Sequence, residues 1–230
     1  MINYLLLLPF LLLNCNMTDT TANLNNPEAQ LIYIGDPMCS WCYGIAEELR
    51  ATKDHFADQV KFEMVMGGLR PYNTQTMADL KDFLSHHWSD VNKASGQKFN
   101  YGILDSTQIT YDTEPPCRAS VVVRDMNQEL EFDFFKAMQK TFYFDNKNMH
   151  LADSYFKILD NLKLNKEEFI ERFNSDEYKM LVRKDFEKSS EMGVRSFPTV
   201  ILKKNGQSTV IAQGFATKEE MIKNINAALN

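Results

Sequence analysis

The hydrophobic and polar positions follow two different periods in the first part of the chain. Residues 31–34 form a short continuous apolar run ended by Gly35, which is typical of a central β-strand covered on both faces. Between residues 45 and 56 the apolar positions have close to helical spacing with charged residues between them, which predicts a helix. Residues 60–66 then largely alternate, and this period of two predicts a second strand.

The strand pattern disappears between residues 70 and 174. Apolar residues recur there at spacings of three and four, which predicts several helices. Pro115 and Pro116 suit a first helical turn, because the NH that proline lacks would have no partner there. Asn165 with Glu168 resembles a capping box at the start of another helix. The helical spacing covers residues 77–88, 119–126, 130–142 and 151–162, and one more helix is predicted over about 175–192.

The strand pattern returns near the C-terminus. Residues 199–202 and 209–212 are predicted to pair as an antiparallel hairpin, because Asn205-Gly206 between them is a tight-turn dipeptide. Thr217 and Glu220 predict the cap of a last helix. The predicted order is therefore β-α-β, insertion, α-β-β-α. It divides the chain into an α/β sheet domain, built from residues 31–70 and 175–230, and an inserted all-helical domain over residues 71–174.

The first thirty residues have a different character. Residues 5–13 are apolar except for Pro9, but a bilayer span needs roughly 20 such residues, so residues 1–15 are predicted to be a secretory signal. Leu12-Leu13-Asn14-Cys15 resembles the lipobox of bacterial lipoproteins, which implies a lipidated Cys15 and a membrane tether. Residues 16–30 are rich in Asn and Thr and are predicted to be a flexible spacer.

This leader places the protein in the bacterial cell envelope, either in the periplasm or anchored as a lipoprotein. The alternative is a cytoplasmic protein whose N-terminal segment is not a signal.

The net charge of the chain argues against one class of partner. The chain has 230 residues and a net charge of −6, which provides no field for attracting phosphate backbones, so nucleic acid is not an expected partner.

The candidate chemistry lies at Cys39 and Cys42, since only these two of the four cysteines are close in sequence. They follow a predicted strand and open a predicted helix, so the first sulfur lies beside unbonded backbone NH groups that favour its thiolate form. The second sulfur lies about one turn further on, within reach to resolve a mixed disulfide.

A zinc site is the alternative interpretation of this cysteine pair. It needs two more ligands at suitable spacing. The remaining candidates, Cys117, His86, His87 and His150, are scattered along the chain and form no second pair. We therefore predict a redox dithiol with no metal and no organic cofactor.

Four segments together resemble the DsbA-like thioredoxin-fold family, in its FrnE-like branch. They are Asp36-Pro37-Met38-Cys39-Ser40-Trp41-Cys42-Tyr43-Gly44, Gly67-Gly68-Leu69, Glu114-Pro115-Pro116-Cys117-Arg118-Ala119 and Ser196-Phe197-Pro198-Thr199. The resemblance runs from about residue 31 to the C-terminus. It implies a thioredoxin fold with a helical insertion and the catalysis of dithiol-disulfide exchange.

The resemblance also implies roles for individual residues. Cys39 is the nucleophile and Cys42 the resolving thiol. Pro198 is the cis-proline that faces the pair. The backbone of Phe197 pairs with the substrate chain as a neighbouring β-strand would. Ser40 and Trp41, between the cysteines, are candidate substrate contacts, although Trp41 has an equal alternative as an aromatic packed on the inserted domain.

Two further residues have a functional and a structural interpretation. Asp36 is a candidate proton relay if it is buried, and its simpler role is turn chemistry before Pro37. Cys117 follows two prolines at a helix start, which favours a partly anionic second redox thiol. Most single cysteines are instead buried as small hydrophobic residues.

The sequence thus predicts a thiol-disulfide oxidoreductase that acts on cysteine-containing proteins or peptides, with a redox partner that recycles its disulfide. One rival keeps the fold and makes the protein a glutathione-dependent transferase or isomerase of small molecules, but relatives of that kind replace the pair with a lone Ser or Cys. The other rival is a non-catalytic, lipid-tethered binding domain.

Overall fold

The computed structural model describes residues 29–230. The predictions for the leader, for lipidation of Cys15 and for most of the spacer fall outside the described residues. The spacer prediction is wrong at its end, because Ala29 and Gln30 already belong to the first strand. Ala29 is buried and pairs with Val60 on one side and Lys204 on the other, so it is tied into the sheet.

Four strands form one mixed sheet with the order β2-β1-β3-β4. The first strand is parallel to the second and antiparallel to the third, and the last two form the predicted antiparallel hairpin. Asn205 and Gly206 have φ values of 51° and 77°, as a two-residue turn with positive φ at both positions requires. The strands are β1 (Ala29–Gly35), β2 (Val60–Met66), β3 (Thr199–Lys204) and β4 (Gln207–Gln213).

Eight α-helices accompany the sheet in this part of the chain. The capping box of Thr217 and Glu220 is confirmed at the start of the last one. The helix predicted from residue 77 begins only at Lys81. Residues 77–80 form a turn instead, at which Thr76 and Asp79 exchange side-chain to backbone bonds. The helices are α1 (Ser40–His55), α2 (Lys81–Ser95), α3 (Glu114–Met126), α4 (Glu131–Tyr143), α5 (Phe156–Leu162), α6 (Lys166–Asn174), α7 (Asp176–Glu191) and α8 (Lys218–Leu229).

The helices between β2 and α7 share one hydrophobic core with the sheet. Tyr33 on β1 meets the rings of Phe132 and Phe135 on α4 edge-on, with ring centroids 6.4 and 5.8 Å apart. A smaller cluster on the opposite face contains Ile32 and Ile34. Both faces of β1 are therefore covered, as its continuous apolar run predicts. No helix within residues 29–230 is long and apolar enough to cross a membrane.

A charged cluster fastens two helices to the end of β2. The Arg124 guanidinium on α3 donates to both carboxylate oxygens of Asp185 on α7, at 3.0 and 2.8 Å, and to Glu131 at 2.9 Å. Asp185 also accepts the backbone N–H of Met66 at 2.8 Å. Burial raises the pKa of Glu131 to about 7 against the opposing charge of Arg124. The last residue of β2 is thereby held in place just before Gly67.

We expect Asp185→Asn to destabilise the protein by about 2–4 kcal/mol, because it leaves the largely buried Arg124 without its bidentate partner. Urea unfolding followed by circular dichroism measures the change. Asp105→Asn is the control, since Asp105 forms its ion pair with Lys81 on the surface and should shift the midpoint far less. Equal shifts in the two variants would contradict the role given to the cluster.

Candidate active site

The two cysteines lie at the N-terminus of α1, as predicted. Cys39 is the N-cap residue, and its backbone carbonyl accepts the N–H of Tyr43 at 3.1 Å. Its side chain makes no capping bond, so the sulfur is free to contact other groups. Cys39 is 5% exposed and Cys42 is fully buried. Both are free thiols, as is Cys117.

The Cys39 thiol contacts the loop that precedes β3. Its Sγ atom donates to the carbonyl oxygen of Phe197 at 3.5 Å. The Phe197–Pro198 peptide bond is cis. The carbonyl of Pro198 accepts the N–H of Gly214 at 2.9 Å, and Thr199 Oγ1 donates to the carbonyl of Ser196 at 2.8 Å, so this loop is tied to the end of β4 and to β3.

The two glycines after β2 make room for this arrangement. A Cβ atom on Gly67 would lie 2.2 Å from the Phe197 ring, a distance that no side chain tolerates. Gly68 has φ +68°, and a Cβ atom there would lie 2.8 Å from the ring of Phe186. Gly67 is therefore required for Phe197 to lie against the end of β2.

Asp36 is completely buried directly behind the cysteine pair. Its Oδ1 atom accepts the N–H of Met38 at 2.8 Å, which is the expected turn chemistry, and its Oδ2 atom accepts the N–H of Leu69 at 2.7 Å. Burial raises the pKa of this carboxyl, against the bonds from Leu69 and Met38 that favour its charged form. Asp36 thus links the loop before Cys39 to the loop after β2.

Cys42 has a distinct environment. It is fully buried, and its Sγ atom accepts the backbone N–H of Asp36 at 3.5 Å. Burial and then the neighbouring Cys39 raise its pKa well above the ordinary value. Burial likewise raises the pKa of Tyr33, with a further contribution from the charge of Cys42. The surroundings therefore favour the neutral thiol of Cys42 in the reduced pair.

Cys117 is not the partly anionic thiol that its place near a helix start favours. It is fully buried on α3, and its Sγ atom donates to Asp36 Oδ2 at 3.4 Å. Burial and the neighbouring Asp36 raise its pKa well above the ordinary value, because a second negative charge beside a carboxyl is unfavourable. The structure brings Cys117 to the same buried carboxyl that lies behind Cys42.

The residues between the cysteines differ in exposure. Ser40 is almost buried, and Trp41 is half-buried with its ring packed against the edge of the main core. Both lie in the first turn of α1 beside Cys39. Phe197, opposite them, is also half-buried. Trp41 in the first turn of α1 and Phe197 in the loop before β3 are therefore large apolar side chains that are still partly exposed to solvent.

Sequence reasoning missed Thr113 and Tyr111, and it named Leu69 only as part of the Gly67-Gly68-Leu69 segment, without a role. Leu69 supplies a backbone N–H to Asp36, Thr113 accepts the N–H of Arg70 at 3.1 Å, and the Tyr111 hydroxyl donates to the carbonyl of Met38. The Gly67-Gly68 pair could have pointed to a close approach at the end of β2. No sequence signal marks Tyr111, which is 73 positions from its partner.

Within residues 29–230, no group of three or more His, Cys, Asp and Glu side chains is placed to hold a metal ion.

Comparisons with known proteins agree with this geometry. The family model described as thioredoxin matches residues 32–221. A solved structure of a candidate protein disulfide isomerase from Nitrosomonas europaea is 28% identical, with a TM-score of 0.79 over 87% of this chain and 97% of that chain. A search of curated proteins finds no match.

Two more distant structures share the fold. The cytosolic disulfide reductase DsbM from Pseudomonas aeruginosa is 21% identical, with a TM-score of 0.73 over 87% of this chain and 98% of that chain, and it has also been solved with GSH. Oxidoreductase DsbA from Xylella fastidiosa is 13% identical, with a TM-score of 0.56 over 89% of each chain. Because the thioredoxin model matches most of the chain, the protein belongs to the thioredoxin family.

Proposed function

We propose that this protein is a thiol-disulfide oxidoreductase, which exchanges disulfides with cysteine-containing proteins or peptides through Cys39 and Cys42, without a metal or an organic cofactor. The contact between the Cys39 sulfur and the Phe197 carbonyl oxygen, at 3.5 Å, carries the proposal. It places a sulfur at a helix N-terminus against the backbone that precedes Pro198. A substrate chain that lies along this backbone would bring its own sulfur to Cys39.

In the reducing direction, the Cys39 thiolate attacks one sulfur of a substrate disulfide. The substrate S–S bond breaks, a bond forms between Cys39 and the attacked sulfur, and the other sulfur leaves as a thiolate that takes a proton from water. Cys39 lies at the helix start and is 5% exposed, whereas Cys42 is fully buried and burial raises its pKa. This difference supports Cys39 as the residue that reacts first.

In the second step, Cys42 loses its proton and attacks the Cys39 sulfur. The Cys39–Cys42 disulfide forms, and the second substrate sulfur leaves as a thiol. The substrate has then gained two electrons and two protons, and the cysteine pair has lost them, so a dithiol partner must reduce the pair before another cycle. The same steps in reverse oxidise a substrate. About 30 mV of potential difference corresponds to 1.4 kcal/mol, so small changes around the sulfurs select the direction.

The Phe197 backbone is suited to hold the substrate chain. Among residues 29–230, no group accepts its N–H, while its carbonyl oxygen is reached only by the Cys39 thiol. An extended substrate segment could pair with both groups as a neighbouring strand does. The half-buried rings of Trp41 and Phe197 would offer apolar contact to the substrate chain.

The buried polar groups behind the pair support positioning roles. Asp36 accepts backbone N–H bonds from two loops, and its own N–H points at Cys42. Its carboxyl has no direct bond to either reacting sulfur. We therefore assign Asp36 to positioning rather than to proton relay, and Cys117 to donating a bond to Asp36 rather than to a second redox role.

The cysteine pair at the helix start and the contact with the Phe197 backbone favour the oxidoreductase over the two rival functions. A glutathione-dependent transferase or isomerase would need one Ser or Cys at the helix start, whereas both cysteines lie there. A binding module would need neither a sulfur at the helix N-terminus nor a contact with the Phe197 backbone. A trapping experiment separates all three.

We expect Cys42→Ala to accumulate mixed disulfides through Cys39, because the resolving thiol is absent and the intermediate cannot be released. Non-reducing gel electrophoresis of the full-length protein after incubation with a model disulfide peptide would detect the adduct, and dithiothreitol would remove it. Turnover should fall to background in Cys39→Ser and in Cys42→Ala.

The matched control is Cys117→Ser, which removes a cysteine without touching the pair and should form no adduct of its own. The double variant Cys39→Ser/Cys42→Ala should also form none. If Cys42→Ala accumulates no adduct, and the unmodified protein does not reduce the peptide disulfide, the proposed function is wrong.

A pH series tests the burial of the Asp36 carboxyl. Its folded pKa is raised above the ordinary 3.8, so the fold loses stability as pH rises from about that value through the raised one. Asp36→Asn removes this loss. The unfolding free energy of the variant minus that of the unmodified protein should therefore increase with pH above about 4 and then level off. Urea unfolding between pH 3.5 and 7.5 measures it, and a flat or falling difference would rule out the raised pKa.

Two substitutions at Cys117 separate its possible roles. Cys117→Ser keeps a donor for Asp36, whereas Cys117→Ala leaves one acceptor site unfilled and should be less stable than the Ser variant by about 1 kcal/mol. Denaturant unfolding measures this order. A redox role predicts instead that both variants lose the same share of disulfide turnover, whatever their stability.

A further inference from the structure

The arginines of this protein divide into two groups. The sequence contains seven, and four of them form ion pairs with carboxylates. Those four are Arg50 with Asp133, Arg118 with Glu114, Arg124 with Asp185 and Glu131, and Arg172 with Asp125 and Glu168. The other three have no carboxylate at ion-pair distance among residues 29–230. They are Arg70, Arg183 and Arg195.

These three arginines lie on the segments that surround the active site. Arg70 follows Leu69, whose N–H donates to Asp36. Arg195 is two residues before Phe197, whose carbonyl contacts Cys39. Arg183 lies on α7, three residues before Phe186, and the ring of Phe186 lies 2.8 Å from the position that a Cβ atom on Gly68 would have. The unpaired guanidinium groups are thus on the loop after β2, the loop before β3 and the helix beside them.

Two of these side chains are held in place by aromatic rings. The Arg70 guanidinium lies 5.8 Å from the Phe83 ring centroid and 5.9 Å from that of Tyr111. The Tyr111 hydroxyl in turn donates to the carbonyl of Met38, the residue before Cys39. Stacking of this kind reduces the freedom of the guanidinium while leaving most of its N–H groups free to donate.

Arg183 is fixed in a similar way on Tyr72. Its Nε atom donates to the Tyr72 hydroxyl at 3.0 Å, and its guanidinium carbon lies 5.6 Å from the ring centroid. Two carboxylates near Tyr72 have other partners. Asp112 accepts the backbone N–H groups of Tyr72 and Glu114, and Glu114 pairs with Arg118. Neither of these two carboxylates pairs with Arg183.

The same surface exposes apolar area. Leu69 is 37% exposed and Tyr72 is 52% exposed, so the loop that carries Arg70 also exposes apolar side chains. The whole chain carries a net charge of −6, so these three guanidinium groups are cations on an acidic protein. Arginine pairs with carboxylates through two parallel bonds, which selects for acidic partners.

We propose that the substrates are acidic: peptides or protein segments that carry carboxylates on either side of the reacting cysteine. Arg70, Arg183 and Arg195 pair with these carboxylates, and the apolar groups Leu69 and Tyr72 contact the chain between them. This inference rests on the proposed function of Cys39, and it defines the substrate class of that same site.

Three peptide disulfides of equal length test the proposal, with Glu, Gln or Lys at the positions that flank the cysteine. The full-length reduced protein is mixed with each peptide, and the released peptide thiol is separated by chromatography to give a second-order rate constant. We expect the Glu peptide to react at least about tenfold faster than the Gln peptide, and the Lys peptide to react more slowly than both. The preference should shrink as salt is raised to about 1 M.

The variant Arg70→Gln/Arg195→Gln should react with the Glu and Gln peptides at rates within about threefold of each other. The control Lys203→Gln/Lys223→Gln removes the same charge from two exposed residues of β3 and α8 that form no ion pair among the described residues, and it should keep the preference for Glu. The salt series uses the unmodified protein, so the test does not depend on how well either variant folds.

The outcomes distinguish a failure of the proposed function from a failure of the acidic substrate class. If no peptide disulfide reacts, the proposed function fails. If all three peptides react at similar rates, thiol exchange stands and the acidic substrate class is wrong. If the lysine control loses the preference to the same extent as the arginine variant, overall charge rather than these arginines is responsible, and the assignment is again overturned.

Discussion

The meeting of two loops at one end of the sheet is the constraint on which the site depends. β1 and β3 are antiparallel, and Ile34 pairs with Thr199, so the chain that leaves β1 lies beside the chain that enters β3. Cys39 comes four residues after β1 ends and Phe197 two residues before β3 begins. The register of the sheet, together with the space that Gly67 leaves for the Phe197 ring, therefore brings the thiol and the carbonyl into contact.

Asp36 extends this arrangement beyond the sheet. Its carboxyl is bonded to the loop before α1, to the loop after β2 and to α3 through Cys117. The cluster of Arg124 and Asp185 fastens the same end of β2 to α3 and α7. The helices between β2 and α7 are thus tied to the cysteine pair by buried polar contacts as well as by the shared core. In this protein they serve as a support for the site.

The chemistry follows from unequal surroundings of two neighbouring sulfurs. Cys39 lies at the positive end of a helix and contacts a polar backbone, while Cys42 is sealed one turn further along. Burial disfavours the thiolate form of Cys42, and no charged side chain lies between the two cysteines in sequence, since Ser40 and Trp41 are neutral.

The sequence by itself determined what depends on neighbouring residues: the strands, the hairpin turn at Asn205-Gly206, the cap at Thr217 and the two cysteines at a helix start. These features follow from periodicity and from local backbone hydrogen bonds, which depend only on residues close in sequence. Tertiary structure alone decided that Asp36 is buried and bonded to Cys117, 81 positions away, and that Gly67 faces Phe197. The burial of a side chain and its hydrogen-bond partners depend on segments that are distant in sequence. No local sequence pattern indicates which of these segments come into contact.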